Sequence, residues 1–401
     1  MVQTVLFLSL SLIIVVLLAV LLCLLAVFVI RGLRAKSNRR LTVWLRRLAI
    51  CAAALLALNA ALVAASQLMA HTPPIVNSRG ETVEGSIAEL TQLTLNGRKQ
   101  WISIRGLNRN NPVLLFLAGG PGGTQLAAVR HELPQLEERF VVVGWDQPGA
   151  GKSFGAADSG TLTPETYVED GYALTEYLQE RFAQQKIYLI GESWGSALGI
   201  FLLDRHPEAY SGFIGTGQMV DFSETERLDY EKALEIALAN GNQAIADRLL
   251  ANGPAPYTGA DVVWKSAAYL NYLSGVMAGN PAITNAGYQT LRDIASEEYG
   301  LLDRINYIRG VIVTFGKVYP QLYGVDLRKD YQALSVPVWF FLGRYDLNAP
   351  PSLAEEYAAL LQAPHKEIVW FEHSGHSPWI NENERFAREV IARFLGKDGN
   401  E

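Results

Sequence analysis

Cysteine is scarce in this 401-residue chain, and acidic residues are absent from its first 70 positions. The only two cysteines are Cys23 and Cys51, so everything beyond them lacks disulfides, thiol nucleophiles and cysteine metal ligands. Beyond residue 70 the chain carries all 40 Asp and Glu against 27 of the 34 Lys and Arg. That balance excludes a basic nucleic-acid binder, because the main body would repel a polyanion. Charged residues make up 18% of the sequence, below the usual share of about a quarter, and this excludes a plain cytosolic enzyme.

Two uncharged apolar stretches account for the low charge: residues 5–30 and residues 48–70. A helix needs roughly 20 residues to cross the hydrocarbon core of a bilayer, so each stretch is long enough. The basic residues of the first 70 positions all lie from 31 to 47, a loop that the positive-inside rule keeps cytoplasmic. These residues are Arg31, Arg34, Lys36, Arg39, Arg40, Arg46 and Arg47. The sequence therefore predicts a membrane hairpin over residues 1–70, with the bilayer as a partner and everything after Ala70 extracytoplasmic.

A cleaved signal peptide is the alternative to an intact hairpin. The first stretch fits it poorly, because no positively charged segment precedes Val5. The second stretch fits better, since Arg46 and Arg47 precede it and the small residues 64–66 lie near its end. In either case the main body is placed outside.

The main body alternates between short apolar runs and segments with helical periodicity. Residues 71–84 are polar and contain two prolines, which indicates a linker. Asn96-Gly97 joins the first two runs, a strong hairpin signal. The predicted strands are 86–95, 100–106, 112–118, 140–145, 186–190, 211–215, 337–342 and 367–371. The predicted helices include 164–182, 196–204, 353–361 and 381–394. This alternation predicts an α/β fold with a mostly parallel sheet covered by helices on both faces and an antiparallel edge.

The alternation stops between residues 220 and 334, where helical periodicity and Tyr are frequent and no strand run is convincing. We therefore expect an α/β core over 85–219 and 335–401, interrupted by a helical cap over 220–334. No internal repeat or low-complexity segment is evident.

The strongest chemical signal is the segment Gly191-Glu192-Ser193-Trp194-Gly195, which follows an apolar run and precedes a helical one. In this G-x-S-x-G context, small residues permit a sharp strand-to-helix turn that lifts the serine hydroxyl above the sheet. Ser193 is the predicted nucleophile, and a helix N-cap serine is the alternative.

The serine needs a base and a carboxylate that follow it in the order Ser, Asp or Glu, His. Asp346 comes just after the strand PVWFFL, and His376 comes just after the last strand, on a loop with Gly375. His373 is the rival base, although its position at the strand end suits a packing role. A zinc site at His373 and His376 is weak, because no third ligand is evident.

Glycine-rich sequence after the central strand, LAGGPGG at 117–123, predicts an oxyanion hole. Its expected donors are the backbone N–H groups of Gly120 and Trp194. The segment PGAGKS at 148–153 resembles a P-loop, but that motif requires glycine where Asp146 stands, so nucleotide binding is not predicted.

The ordered set LAGGPGG, GWDQPGAGKS, GESWGS, GRYD and SGHS resembles the α/β-hydrolase fold and, within it, the proline iminopeptidase family of serine peptidases. The resemblance covers about residues 85–396. The family patterns usually read HGGPG, DQRGxGxS and GGSWG, and here Ala118, Pro148 and Glu192 depart from them. It implies Ser193 as nucleophile, His376 as base and Asp346 as its orienting partner. The departures put the substrate in doubt more than the reaction class.

The resemblance also implies that acidic residues of the cap hold a substrate's free α-amino group. Asp221, Glu224 and Glu226 are the candidates, with Glu192 beside the nucleophile as a further one. The alternative for the cap acids is a solvated first helical turn, where the helix dipole favours acidic side chains. For Glu192 the alternative is hydrogen bonding to neighbouring backbone.

The sequence thus predicts a membrane-anchored serine hydrolase that acts by two-step acyl transfer on a small molecule or short peptide and requires no metal or organic cofactor. An aminopeptidase of proline iminopeptidase type is the first interpretation. A carboxylic-ester or lactone hydrolase uses the same triad and stays open, as does a non-catalytic binding protein on this fold. Oligomeric state is not predicted.

Overall fold

The structure is a computed structural model that describes residues 2–34, 38–285 and 287–396. The chain divides into two compact units. The hairpin unit contains Met1–His71 and Tyr299–Ile305, and the sheet unit contains Thr72–Glu298 and Asn306–Glu401. Lys36, one of the predicted loop cations, lies outside the described residues.

Two long helices build the hairpin unit: α1 (Val2–Leu33) and α2 (Arg39–Leu68). At a rise of about 1.5 Å per residue each is about 45 Å long, more than the roughly 30 Å of hydrocarbon in a bilayer. A polar pair joins them, since Asn59 Nδ2 donates to Ser11 Oγ at 3.0 Å. Both helices are long and apolar enough to be membrane spans, and a signal sequence has the same properties.

Eight strands form one sheet: β1 (Ile87–Leu95), β2 (Arg98–Gly106), β3 (Val113–Leu117), β4 (Val141–Asp146), β5 (Ile187–Glu192), β6 (Tyr210–Thr216), β7 (Val338–Gly343) and β8 (Lys366–Phe371). Their order is β1-β2-β4-β3-β5-β6-β7-β8. The pairs β1–β2 and β2–β4 are antiparallel, and all remaining pairs are parallel. The predicted mostly parallel sheet with an antiparallel edge is therefore confirmed.

The helices after α2 are α3 (Leu126–Glu132), α4 (Pro164–Phe182), α5 (Trp194–Arg205), α6 (Phe222–Ala239), α7 (Gln243–Asn252), α8 (Asp261–Ala278), α9 (Thr290–Ile294), α10 (Leu301–Arg309), α11 (Phe315–Val318), α12 (Leu327–Asp330), α13 (Pro351–Leu360), α14 (Pro378–Asn381) and α15 (Asn383–Leu395). Short 3₁₀ segments lie at Pro134–Glu138, Gly151–Ala156, Pro207–Ala209 and Tyr319–Leu322, and one π-helical turn spans Gly310–Thr314. Between β6 and β7 the described residues form α6–α12 and add no strand to the sheet. We call α6–α12 the helical insertion.

Both faces of the sheet are covered, as the continuous apolar strands predict. On β3, Val113, Leu115 and Leu117 join one apolar cluster, whereas Leu114 and Phe116 join a second cluster on the opposite face. This period of two places alternate side chains in separate cores. The sheet is therefore a central layer with an apolar core on each face, and the residues of the candidate site follow the ends of its parallel strands.

Local signals explain individual elements. Helix α4 begins at the predicted residue because Thr163 and Thr166 form a reciprocal capping box and Pro164 occupies the first turn. It ends at Phe182, and Ala183 follows in the left-handed conformation. The Asn96-Gly97 turn has positive φ at both residues, the requirement for a tight hairpin between β1 and β2.

Candidate active site

Ser193 occupies a strained turn between β5 and α5. Its backbone has φ 53° and ψ −122°, a conformation that non-glycine residues rarely adopt. The turn needs the flanking glycines, because a methyl group on Gly191 would overlap the Gly195 carbonyl and one on Gly195 would overlap the Leu117 carbonyl. The Ser193 N–H donates to the Thr216 carbonyl at 3.0 Å, which ties the turn to β6.

His376 and Asp346 meet at the ends of the last two strands. Asp346 follows β7 and His376 follows β8, and His376 Nδ1 lies 3.1 and 3.0 Å from the two carboxylate oxygens of Asp346. Asp346 Oδ1 also accepts the N–H groups of Asn348 at 2.8 Å and Ala349 at 3.0 Å. The buried carboxylate is held by backbone, so it fixes the imidazole with Nε2 turned away from it.

Opposing effects set the charge of His376. Burial lowers the pKa of the imidazole, but the charge and hydrogen bond of Asp346, with a further contribution from the Glu192 charge, raise it to about 9. The imidazolium form is therefore favoured at neutral pH.

His373, the rival base, does not approach Asp346. Its Nδ1 lies 3.1 Å from the Ala282 carbonyl, and its backbone N–H donates to Glu382 at 2.9 Å. In the part of the chain that the structure describes, no three His, Cys, Asp or Glu side chains are grouped to hold a metal ion.

The glycine-rich loop after β3 lies against the nucleophile. A Cβ on Gly119 would lie 3.3 Å from Ser193 Cβ, and Gly120 and Gly122 have positive φ. Gln147 couples this loop to the serine turn, since its Nε2 donates to the Ala118 carbonyl at 3.1 Å and its Oε1 accepts Trp194 Nε1 at 3.0 Å. Trp194 is the first residue of α5, so its N–H has no acceptor within the helix. Both expected oxyanion donors are thus in the segments that border Ser193.

The segment that resembles a P-loop has a structural role. Asp146 accepts the Lys152 N–H at 2.7 Å and the Thr124 hydroxyl, and a methyl group on Gly151 would overlap its carboxylate. The Lys152 ammonium lies 4.5 Å from the centre of the Trp101 ring. The aspartate that breaks the motif therefore organises the turn after β4.

Glu192, beside the nucleophile, is buried and receives four hydrogen bonds. Its Oε1 accepts Ser377 Oγ at 2.6 Å and Trp379 Nε1 at 2.9 Å. Its Oε2 accepts the Tyr288 hydroxyl at 2.6 Å and the Gln125 side-chain amide. A carboxylate offers about four acceptor sites, so those of Glu192 are all occupied. No sequence pattern predicted these donors, although Ser377 is the last residue of the SGHS motif and Trp379 lies two residues beyond it.

A cavity of about 490 Å³ joins these parts. Its wall includes Glu192, Ser193, His376 and the glycine-rich loop on one side, and residues of the helical insertion on the other. The insertion residues are Leu270, Asn271, Tyr288, Thr290, Tyr307, Val311, Phe315 and Tyr319.

Three of the predicted substrate-binding acids do not line this cavity, and two of the three, Asp221 and Glu224, pair with an arginine instead. Asp221 is the N-cap of α6, where its carboxylate accepts the Glu224 N–H at 2.9 Å. Both Asp221 and Glu224 pair with Arg328, at 3.0 and 2.6 Å. Asp221 and Glu224 therefore match the alternative interpretation, in which acidic side chains stabilise the first turn of a helix. Their negative charge is balanced by Arg328.

Glu226 is buried behind the cavity wall. It accepts the hydroxyls of Tyr319 at 3.0 Å and Ser266 at 3.3 Å, and that of Tyr269. Tyr319 itself lines the cavity. Burial raises the pKa of Glu226, although its three hydroxyl donors oppose that effect.

Asp229, which the sequence analysis missed, lies one turn after Glu226 on α6. It is 1% exposed, and neither carboxylate oxygen has a hydrogen-bond partner among the described residues. Burial raises its pKa well above the usual range, and the charges of Glu226 and Asp346 add to that effect. The spacing of three residues from Glu226 was the one signal that could have placed both acids on the same helix face.

A mostly parallel sheet, a strained serine turn after β5 and a His–Asp pair after the last two strands are the architecture of α/β-fold serine hydrolases. Residues 112–251 match the family model described as alpha/beta hydrolase fold. The chain belongs to this family and is a hydrolase homologous to aminopeptidases and proline iminopeptidases.

Relatives cover most of the chain after the hairpin. The probable aminopeptidase YbaC of Bacillus subtilis (strain 168) is 30% identical over 311 residues, 76% of this chain and 96% of that protein. A proline iminopeptidase of Lactobacillus helveticus (strain DPC 4571) is 34% identical over 137 residues, 33% of this chain and 43% of that protein. The crystal structure of a proline iminopeptidase-related protein from Thermus thermophilus has a TM-score of 0.54 at 22% identity, covering 77% of this chain and 97% of that one. The last comparison establishes likeness of fold.

Proposed function

We propose that this chain is a membrane-anchored, extracytoplasmic serine aminopeptidase of proline iminopeptidase type. The relative that matches over 96% of its own length is named a probable aminopeptidase. The observation that carries the proposal is Asp229, a buried carboxylate without a donor, because a substrate's ammonium group supplies the charge that such a site lacks.

In the proposed reaction, His376 takes the proton of the Ser193 hydroxyl as its oxygen attacks the substrate carbonyl. The N–H groups of Gly120 and Trp194 stabilise the negative charge that develops on the carbonyl oxygen. His376 then protonates the departing amine, and an acyl-enzyme forms. A water molecule, deprotonated by the same base, hydrolyses that ester and restores Ser193.

The aminopeptidase assignment depends on which carboxylate binds the amine. Glu192 is nearest to Ser193, but its four acceptor sites are occupied. We therefore assign Glu192 to support of the site instead of direct amine binding. Asp229 has open acceptor sites although it is not itself a lining residue of the cavity, and Glu226, one turn away on the same helix, contacts the cavity wall through Tyr319. The helical insertion in this proposal acts as the cap that supplies the amine subsite.

The test compares alanyl and prolyl arylamides with matched acyl arylamides that lack the amine, such as propionyl arylamide. Asp229→Asn should lower kcat/KM for amine-bearing substrates at least about 30-fold, which corresponds to about 2 kcal/mol for a lost buried charge pair. The amine-free substrates should change less than about twofold, because they never engage this carboxylate. Glu224→Gln is the matched control, since it removes a carboxylate of the same insertion that pairs with Arg328.

Equal losses on both substrate types would contradict the amine role of Asp229. If Ser193-dependent turnover were confined to p-nitrophenyl esters, with none of any arylamide, the alternative of an ester or lactone hydrolase would replace the peptidase. Ser193→Ala is the control for every substrate.

Membrane anchoring is tested separately, in a background in which Cys23 and Cys51 are replaced by alanine. A single cysteine at Ser78, which is exposed after the hairpin, should react with a membrane-impermeant maleimide in intact cells. A cysteine at Arg34, between the two helices, should react only after permeabilisation. The reverse pattern would contradict the proposed topology, and loss of the N-terminal segment from the 44.1 kDa chain would favour a signal peptide.

A further inference from the structure

A second cavity, of about 390 Å³, adjoins His376 from another direction. The last turns of α8 contribute Ser274, Met277 and Ala278 to its wall, and Ile283 and Gly375 also line it. Among the described residues, it shares His376, Tyr288 and Asn348 with the larger cavity. Its volume falls within the range of about 300–1,000 Å³ that is usual for ligand pockets.

The two cavities differ in their relation to the reacting atoms. Ser193, Gly119 and Gly120 line the larger cavity and are absent from the described wall of the smaller one. An acyl group attached to Ser193, with its oxygen toward the glycine-rich loop, therefore belongs in the larger cavity. The leaving group receives its proton from His376, whose Nδ1 is held by Asp346, so it departs on the side of the imidazole.

We propose that the smaller cavity is the leaving-group subsite and that it selects neutral, apolar leaving groups. This inference rests on the acyl-transfer chemistry of the proposed function. Apart from His376, every described residue of its wall is uncharged. A leaving group with an aliphatic or aromatic side chain removes apolar surface from water there, whereas a charged one loses solvation without gaining a partner.

Gly375 fixes the positions of two apolar lining residues of the subsite. A Cβ at this position would lie 3.0 Å from Met277 Sδ and 3.3 Å from Ile283 Cδ1, closer than ordinary contact. Met277 is itself held in place, because its sulfur accepts the Leu347 N–H at 3.4 Å. Gly375 therefore packs directly against Met277 and Ile283, and a side chain at this position would displace these two apolar lining residues.

The test uses the full-length protein and one acyl residue joined to different leaving groups. With alanyl dipeptide amides, kcat/KM should be about tenfold higher or more for leucinamide than for glycinamide or aspartamide as the leaving group, the effect of a partly buried leucine side chain. Ala278→Phe, at the exposed end of α8, should reduce turnover of the leucinamide substrate at least about tenfold and that of the glycinamide substrate less than about threefold. Ala239→Phe makes the same change at the exposed last residue of α6, which lines neither cavity, and should have no effect.

Equal kcat/KM across the leaving groups, or an Ala278→Phe loss that is the same for all of them, would overturn the subsite. If no amide were cleaved, the aminopeptidase proposal would fail, and the same variants would then be compared on esters of one acid with 3-methylbutanol, ethanol or glycolate as the leaving group. A preference for the branched alcohol that Ala278→Phe removes supports the subsite, and its absence refutes it, so the two failures are distinguishable.

Discussion

Replacement of Glu192 by glutamine should make the enzyme faster at neutral pH. Glutamine has the same shape, and its oxygen can accept the Ser377 and Trp379 donors while its amide donates to Tyr288. Tyr288 and Gln125 both donate to the oxygen that this amide replaces. Gln125 Oε1 is buried without a hydrogen-bond partner among the described residues, so a flip of the Gln125 side chain lets that oxygen accept from the new amide and from the neighbouring Tyr288 hydroxyl. The change therefore removes one negative charge near His376 with little rearrangement.

The size of the expected rate gain follows from the pKa of His376. A pKa of about 9 instead of 6.5 leaves only about 1% of the imidazole neutral, and hence able to act as a base, at pH 7. Asp346 contributes most of the rise and Glu192 adds to it, so Glu192→Gln should lower the pKa without returning it to 6.5. Each unit of decrease raises the neutral fraction at pH 7 about tenfold. We expect a gain of about two- to tenfold at pH 7 and no gain above about pH 10, where the base is neutral in both proteins.

The assay is the second-order rate of fluorophosphonate labelling of Ser193 from pH 6 to pH 10, which needs no knowledge of the substrate. The ascending limb of the profile should move to lower pH in Glu192→Gln and stay in place in Glu224→Gln. A limb that did not move, or moved to higher pH, would refute the assigned effect of Glu192 on His376. A lower plateau at pH 10 would show instead that glutamine disturbs the geometry of the site.

Three further changes test the same account. Ser193→Gly should abolish labelling yet raise the free energy of unfolding in urea by about 1 kcal/mol, because it relieves the positive φ, and a loss of stability would contradict the strain. Gly195→Ala should lower the free energy of unfolding by more than about 2 kcal/mol, because the added methyl group overlaps the Leu117 carbonyl. Gly155→Ala, which has open space around it, should change the free energy of unfolding by less than about 0.5 kcal/mol. Equal effects of the two substitutions would contradict the predicted overlap. The raised pKa of His376 gives stability that is present below pH 6.5 and is lost as the pH rises toward 9, so wild type should lose about 3 kcal/mol relative to His376→Ala across that window. Parallel pH dependence of the two unfolding curves would exclude this linkage.

The strands of the sheet could be predicted from local patterns of apolar residues in the sequence. Each predicted strand run corresponds to a strand within about three residues, because continuous apolar runs bounded by polar turns are what a doubly covered sheet requires. Helix α4 was predicted with its observed ends, since its N-cap, first-turn proline and last apolar residue are all legible in the sequence. The division of the helical insertion into α6–α12 was not predicted, because helices of four or five residues, such as α9, α11 and α12, carry weak individual signals.

The residues of the candidate site could be predicted from the sequence where they belong to short motifs. The serine turn needs glycine at 191 and 195 for steric reasons that any sequence with this turn must satisfy. The proposed amine subsite has no such motif. Asp229 is one acid among several in DFSETERLDY, and only its burial without a described donor distinguishes it from Asp221 and Glu224. Burial depends on the packing of α6, which no local pattern encodes.

Glu192 departs from the family pattern, and its carboxylate is the centre of a hydrogen-bond network around the candidate site. A carboxylate beside the nucleophile would be costly if buried alone, but here four donors offset its desolvation. The donors come from three separate parts of the sheet unit: Gln125 just before α3, Tyr288 in the helical insertion, and Ser377 and Trp379 directly after the base. The one charge therefore connects the insertion to the loop that carries His376, and it also raises the pKa of that base.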